Sequence, residues 1–539
     1  MAIESFDTLV TYAAALGAME FPHVSAEERA LVDIAARRGF SVNTSEAALV
    51  TEAIRRGEDP LGEAFCRLRS PAERRPHGQT YTPDVLVDAM VRWTLDQPAP
   101  TRIIDTGVGS GRYLLAAGQA HSDARIVGVD IDPIAALMAR ANLAVAGMTD
   151  RSTIHLTDYR SLRCDTVDGP TLFIGNPPYV RHHQISCEWK QWLADVAARY
   201  GHKASRLAGL HVHFFLATLA AAKPGDYGTF VTSSEWLDVN YGALVRDLLT
   251  DQLGGESIHV LAPDALPFAD AATTAAITCF RRGSQEPSIR LQPVASVLDL
   301  GRLDGGVPVA KDVLRTATRW SPLLHGEKAM PEGFIELGQL ARVHRGAVTG
   351  ANKVWVRSPA GIDLPDRVLH RCVTRAKELF VADDVLDDSS HLKVVIDLPA
   401  NLDELNDDER RAVRRFLRRP DVAAARDGYI ASTRKAWWSV GLKAPAPILA
   451  TYMARRPPAF VINEAEAKHI NIAHGIYPRQ DVTATALRNL AAYLRTAVTL
   501  RQGRTYAGGL TKFEPREMER IPVPELEVLS DDTWTPAMV

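Results

Sequence analysis

Between residues 101 and 179 the chain repeats one pattern four times: a short apolar run, a polar residue, then a turn. Thr101-Arg102-Ile103-Ile104 leads to Asp105, and Arg125-Ile126-Val127-Gly128-Val129 leads to Asp130. Thr153-Ile154-His155-Leu156-Thr157 leads to Asp158, and Thr171-Leu172-Phe173-Ile174-Gly175 leads to Asn176. Such runs read as short buried strands. Helix-like stretches such as Arg112-Tyr113-Leu114-Leu115-Ala116-Ala117 lie between them, so the pattern predicts an α/β fold with a mostly parallel sheet. The polar residues stand 25, 28 and 18 positions apart, one to each strand end. Open parallel sheets bind ligands at that carboxyl edge.

What the edge could bind follows from the residues on it. Asp105-Thr106-Gly107-Val108-Gly109-Ser110-Gly111 joins a strand to a helix, and its alternate glycines let a ligand lie against bare backbone at the helix N-terminus. Asp130 ends the next strand, where an acid grips the two ribose hydroxyls of a nucleoside cofactor. Asp158, with Tyr159 beside it, can accept from an adenine amino group. The fourth strand delivers Asn176-Pro177-Pro178-Tyr179. Each Pro fixes φ and lacks a donor, so the corner presents carbonyl acceptors in a set direction. It can hold a planar amino group between the Asn amide oxygen and a Pro carbonyl, with the Tyr stacked on the ring. A Pro-rich turn with a side-chain-capped Asn is the structural alternative for those four residues alone. The glycine spacing is not Gly-x-Gly-x-x-Gly and no Gly-Lys-Ser/Thr follows, which disfavours a dinucleotide or a P-loop nucleotide; S-adenosylmethionine fits better.

The rest of the chain sets the context. At 539 residues it has room for several domains, and 46% hydrophobic with 24% charged residues describes an ordinary globular protein. A net charge of −3 leaves nucleic-acid binding to local basic faces. The five cysteines are far apart, without metal-ligand spacing, and read as reduced thiols. Met1-Ala2-Ile3-Glu4-Ser5 lacks the features of a signal peptide, and the apolar run Phe214 to Ala222 is stopped by Lys223-Pro224-Gly225, so no membrane span is expected and the location reads as cytoplasmic. Residues 1–75 read as a helical segment, with Phe6, Leu9, Val10 and Ala13 on one spacing and Leu31, Ile34 and Ala35 on another. A catalytic domain is expected over 76–285, a connector over 286–325, and a C-terminal α+β domain over 326–539.

Taken together, these residues resemble the gamma-class adenine-N6 DNA methyltransferases of bacterial restriction–modification systems. The likeness is strong over about 79–283 and looser over 326–524. It implies a Rossmann-like class I methyltransferase domain followed by a target-recognition domain. By the same match Gln79-Thr80-Tyr81-Thr82-Pro83 touches the cofactor's methionine end, with Tyr81 and Thr82 the contacts. Asp105, Gly107, Gly109 and Gly111 form the cofactor loop, Asp130 holds the ribose, Asp158 and Tyr159 hold the adenine, and Ile131 is a further cofactor contact. Asn176, Pro177, Pro178 and Tyr179 match the catalytic motif completely. Leu266-Pro267-Phe268 matches a hairpin whose aromatic stacks on the flipped base; a core role for Phe268 is equally open. Thr106 stands where many relatives have Pro, and His211 where many have Tyr.

The resemblance implies that adenine N6, rotated out of the duplex, gives up the delocalisation of its lone pair when both amino hydrogens are accepted, and attacks the sulfonium methyl. Double-stranded DNA is the expected partner. Residues 411–470 hold twelve Lys/Arg against four Asp/Glu, with Tyr429, Trp437, Trp438 and Tyr452 interleaved, which suits phosphate contacts; a solvated helix face also explains Arg411 to Arg419. Arg345, Lys353, Arg434, Lys435 and Lys512 are the DNA-contact candidates. No nuclease constellation is evident, so cleavage is expected in a separately encoded endonuclease or not at all, and no metal is expected. Two rivals remain at this level: methylation of an RNA base or a protein glutamine, and a DNA-binding protein with an inactive methyltransferase domain.

Overall fold

A computed structural model describes residues 3–74, 76, 78–262, 265, 275–325, 330–506 and 510–536. The chain divides into two compact units, Met1–Glu327 and Lys328–Val539.

The first unit is built on a nine-stranded sheet. Its strands are β1 (Arg102–Asp105), β2 (Arg125–Asp130), β3 (Ser152–Leu156), β4 (Thr171–Gly175), β5 (Tyr227–Ser233), β6 (Gly255–Leu261), β7 (Ala275–Arg281), β8 (Ser288–Val294) and β9 (Val307–Ala310). They lie in the order β3-β2-β1-β4-β5-β7-β6-β8-β9. From β3 across to β5 every pairing is parallel, and β7 runs antiparallel between β5 and β6. Every residue of β1, β4 and β5 is buried, as central strands covered on both faces require. The expected mostly parallel α/β sheet is present.

The helices Phe6–Ala15, Ala26–Arg37, Thr44–Arg55 and Pro60–Leu68 start at Ser5, Ser25, Asn43 and Asp59, each of which caps its helix through the side chain. Leu9, Val10 and Ala13 go inside as their spacing predicts, whereas Ile34 stays exposed while Ala35 is fully buried. The helix Pro133–Val145 explains where this face goes. Ala136, Ala139 and Leu143 pack with the sheet, and Ala135, Leu137, Met138 and Ala141 pack with the N-terminal helices. A helix apolar on all sides is one buried on all sides.

Residues 286–325 were expected to be a connector, and the structure differs. Ile289 and Leu291 alternate inward and are fully buried, β8 pairs parallel with β6, and β9 closes the sheet. The fully buried Trp320 then packs edge-on to Trp236, which keeps this stretch within the first unit.

The second unit is α+β. A five-stranded sheet holds Ala341–Arg345, Ala473–Pro478, Ile448–Thr451, Phe460–Asn463 and Val385–Leu386 in that order. Helix Ala484–Ala497 lays Leu490, Ala491 and Leu494 against it. A four-stranded sheet forms a separate core with Trp355, Phe416 and Val413. Among the described residues no helix is long and apolar enough to cross a membrane.

Candidate active site

The sheet order reverses between β1 and β4, so their following loops diverge and open a crevice at the carboxyl edge. A cavity of about 420 Å³ lies there, within the range of small-molecule sites. Tyr81, Thr82, Gly107, Gly109, Asp130, Ile131, Asp158, Tyr159, Asn176 and Pro178 line it. Asp105, Gly111, Pro177 and Tyr179 are not on its wall. Phe268 lies outside the described residues.

Asn176 carries the sharpest geometry. Its Nδ2 donates to the Thr80 carbonyl at 3.2 Å and to Thr82 Oγ1 at 3.0 Å. A carbonyl can only accept, so the NH₂ must face Thr80 and the oxygen must face away from it. That oxygen, Oδ1, is buried and has no hydrogen-bond partner. Orphaned buried acceptors are rare and cost about 1–3 kcal/mol, so a preset one on a cavity wall is an acceptor waiting for a donor.

Two glycines make this corner possible. Gly175 sits at φ +151, and a Cβ there would come 2.6 Å from Asp105 Oδ1. Gly78 sits at φ +65, where a Cβ would come 2.6 Å from the Tyr179 nitrogen and 2.7 Å from Pro178 Cβ. The stretch 70–78, which reads as a linker, therefore ends pressed onto the Pro178–Tyr179 corner. Tyr179 is half-buried, and burial holds its hydroxyl protonated.

Asp105 is fully buried beneath the loop. Its Oδ1 accepts from the Gly107 nitrogen at 3.1 Å, its Oδ2 has no partner, and burial pushes the carboxyl up to about 7. Its place is behind the glycine turn, holding it, and not at the ligand surface. Asp130 is on the wall: Oδ2 accepts from the Gly109 nitrogen and Oδ1 from the Asp132 nitrogen, both at 2.9 Å, and burial raises it to about 6. A carboxylate has about four acceptor positions, so acceptor capacity remains for a diol. Ile131 beside it is 59% exposed and lines the cavity with an apolar surface. The Tyr81 hydroxyl is buried without a hydrogen-bond partner.

Asp158 is not free to act alone. Arg160, two residues on, donates Nε to Oδ1 at 2.9 Å and Nη2 to Oδ2 at 2.6 Å. The guanidinium lies 3.7 Å from the centre of the Trp189 ring, and its Nη1 is 3.3 Å from His213 Nδ1. Burial, with Arg160 adding to it, lowers His213 to about 3, so the neutral ring accepts that bond. Tyr159 turns into the core, its hydroxyl 3.0 Å from Thr218 Oγ1 and its ring on Phe214. Arg160 and Trp189 were missed from sequence. The only local signal was a cation two places after a strand-end Asp.

In the second unit, Arg345, Lys353 and Lys435 are exposed. Arg345 stands over the Tyr452 ring at 5.4 Å; Lys512 pairs with Glu514 and faces the same ring. Arg434 departs from expectation: its Nη2 donates to the Val348 and Thr349 carbonyls and its Nη1 to the Trp437 carbonyl, so it pins a loop. Trp437 and Trp438 belong to the core around Trp355. No group of three metal-ligating side chains occurs among the described residues.

Known proteins account for both units. The family model described as the Type II methyltransferase M.Eco57I C-terminal domain matches residues 327–537, and the Eco57I restriction-modification methylase model matches 168–262. Type II methyltransferase M.XamI of Xanthomonas campestris pv. amaranthicola is 50% identical over 471 residues, 87% of this chain and 88% of that one. The chain belongs to the type II restriction–modification methyltransferases. A more distant relative, Type II methyltransferase M.AccI of Acinetobacter calcoaceticus, is 22% identical over 87% of this chain and 89% of its own. The Type IIL restriction-modification enzyme MmeI, solved in complex with DNA, shares the fold at a TM-score of 0.51 and 14% identity, covering 80% of this chain and 67% of that one. In this type II methyltransferase the carboxyl-edge cavity lies in the unit that holds the methylase match, and the C-terminal match spans the second unit.

Proposed function

We propose that the chain transfers the methyl group of S-adenosylmethionine to N6 of an adenine in double-stranded DNA, at a site read by the second unit. The observation that carries this is the Asn176 amide on the cavity wall, pinned through its NH₂ and left with a buried, unpartnered oxygen. An amino group on a planar ring is the donor that suits it, and the Pro177 carbonyl supplies the second acceptor.

The residues present fit the cofactor. Asp130 has acceptor capacity left for the ribose hydroxyls, Ile131 offers an apolar face to the adenine, and Asp158, held by Arg160, accepts from its amino group. Tyr81 and Thr82 take the methionine end. When bound, S-adenosylmethionine supplies a methyl already activated by its sulfonium charge. Asn176 then has to orient and polarise the incoming amino group more than to move protons. Tyr179 and Phe268 are the proposed stacking surfaces for the flipped base. By protecting host DNA the enzyme would serve alongside a separately encoded endonuclease.

The test is nucleoside mass spectrometry of duplex DNA, RNA and protein incubated in parallel with the enzyme and isotopically labelled cofactor. Labelled N6-methyladenine in duplex DNA is expected. Label in another DNA base overturns the adenine assignment, and label confined to RNA or protein overturns the substrate class.

A further inference from the structure

Asp59 and Arg69 belong to the N-terminal helices and do not line the cavity, yet both are bonded to the loops that form it. Asp59 Oδ1 caps its own helix at the Gly62 nitrogen, 2.9 Å away. Its Oδ2 accepts from Ser110 Oγ at 2.5 Å and Arg112 Nε at 2.8 Å. Asn142 Nδ2 ties the group together, 2.8 Å from the Ser110 carbonyl and 3.3 Å from Asp59 Oδ1. Arg69 lies over the Phe65 ring and donates to Asp132 Oδ2 at 2.6 Å and Gln79 Oε1 at 2.9 Å. Gln79 Nε2 reaches the same Asp132 oxygen at 2.8 Å. The Asp132 nitrogen in turn donates to Asp130.

These bonds exceed what holding the helices requires. Leu61, Ala64 and Phe65 already anchor Pro60–Leu68 in an apolar layer with Pro133–Val145, and a neutral Asn or Ser would cap the helix as well as Asp59 does. A buried carboxylate is costly unless it is paired and bonded, and here the partners are Ser110 within the glycine turn and Arg112 just after it. What the network adds is direction: it fixes Ser110 and Arg112, next to the Gly109 nitrogen that meets Asp130, and it fixes Asp132 next to Asp130 itself.

We propose that the N-terminal helical segment is a positioning element of the cofactor site, with Asp59 setting the glycine loop and Arg69 setting the loop of the ribose acid. Cofactor affinity then depends on two residues that never touch the cofactor. This rests on reading the cavity as the S-adenosylmethionine site.

The experiment uses the full chain and S-adenosylmethionine itself, by calorimetry and by steady-state methyl transfer. Asp59→Asn and Arg69→Met should each raise Kd and KM for the cofactor about tenfold while kcat at saturating cofactor stays within about threefold. Arg38→Ala, which breaks the exposed Arg38–Asp7 pair in the same segment, should leave both within about twofold. A merely structural role would remove active enzyme, lowering kcat at unchanged KM, and that result overturns the proposal, as does unchanged KM in both variants. If Asp59→Asn fails to fold, the KM-against-kcat split of Arg69→Met decides. If the parent enzyme bound no cofactor, the reading of the cavity would fall first and the positioning role with it.

Discussion

Replacing Asn176 with alanine should slow catalysis severely while leaving the fold nearly as stable as before, and the structure sets both magnitudes. The Asn176 NH₂ makes two hydrogen bonds, worth about 1 kcal/mol each in net stability, and both are lost. The buried Oδ1 is orphaned at a penalty of about 1–3 kcal/mol, and that penalty is removed. Thr80 and Thr82 both border the cavity, where water can replace the missing donor. The net change is close to zero, so a melting-temperature shift within about 3 °C is expected. The rate should fall about 10²–10³-fold, the range seen when one preorganised group at a developing charge is deleted. Cofactor affinity should stay within about twofold, because Asp130 and the glycine loop are untouched. Single-turnover transfer to unmodified genomic DNA, differential scanning calorimetry and cofactor titration measure the three quantities. A rate within tenfold of the parent, or a stability loss large enough to explain the rate, would refute the argument.

Thr82→Val removes one of the two acceptors that orient the amide, so at saturating cofactor it should slow transfer, yet add nothing to the rate loss of Asn176→Ala in the double variant; an additive double variant would show that Thr82 acts on the transfer step other than through Asn176. Gly78→Ala should lower kcat at least tenfold by forcing a Cβ against the Tyr179 nitrogen, with cofactor binding retained; an unchanged kcat would mean the corner yields freely. Burial raises Asp105 to about 7, so the folded chain keeps a proton that the unfolded chain releases near pH 4, and this group's stabilisation is lost as pH rises from about 4 through 7. Asp105→Asn should therefore raise the melting temperature at pH 8, by up to about 4 kcal/mol of stability, and gain nothing near pH 4; a gain independent of pH would contradict the cause. Arg345→Ala should reduce the salt dependence of DNA binding by about one phosphate contact, whereas Arg434→Ala should destabilise the second unit and leave that slope alone.

The central sheet was legible because each of its strands is a complete local signal: β1 and β4 are apolar on both faces, and a polar residue marks where each ends. β8 and β9 were not, because Ile289, Leu291 and Val294 are only three inward residues after a polar turn, and they are covered once β8 pairs with β6, some thirty positions earlier. The same limit separates Asp158, visible at its strand end, from Arg160, whose importance comes from Trp189 and His213 meeting it in space. In the second unit the basic run misled in the opposite direction. Arg411, Arg415 and Arg419 pair with Asp408, Asp363 and Asp421, so part of the charge excess counted along 411–470 is met by acids, Asp408 and Asp363 lying outside it. The alternative of a solvated, salt-bridged helix face describes Arg411 to Arg419 better than a DNA-contacting one.

The segment 78–82 ties these threads together. Gly78 backs the Pro178–Tyr179 corner, Gln79 bonds Asp132, Thr80 and Thr82 aim the Asn176 amide, and the Thr82 carbonyl accepts from Arg112 at 2.9 Å. Arg112 and Asp132 are also the groups held by Asp59 and Arg69. One short strip therefore touches both halves of the site, the cofactor floor and the acceptor corner. The two halves therefore share one backbone strip and are not merely adjacent. An oxygen left without a partner stays correctly aimed only while everything around it is fixed, and that accounts for the bonding placed behind Asn176 in place of a bond to its oxygen.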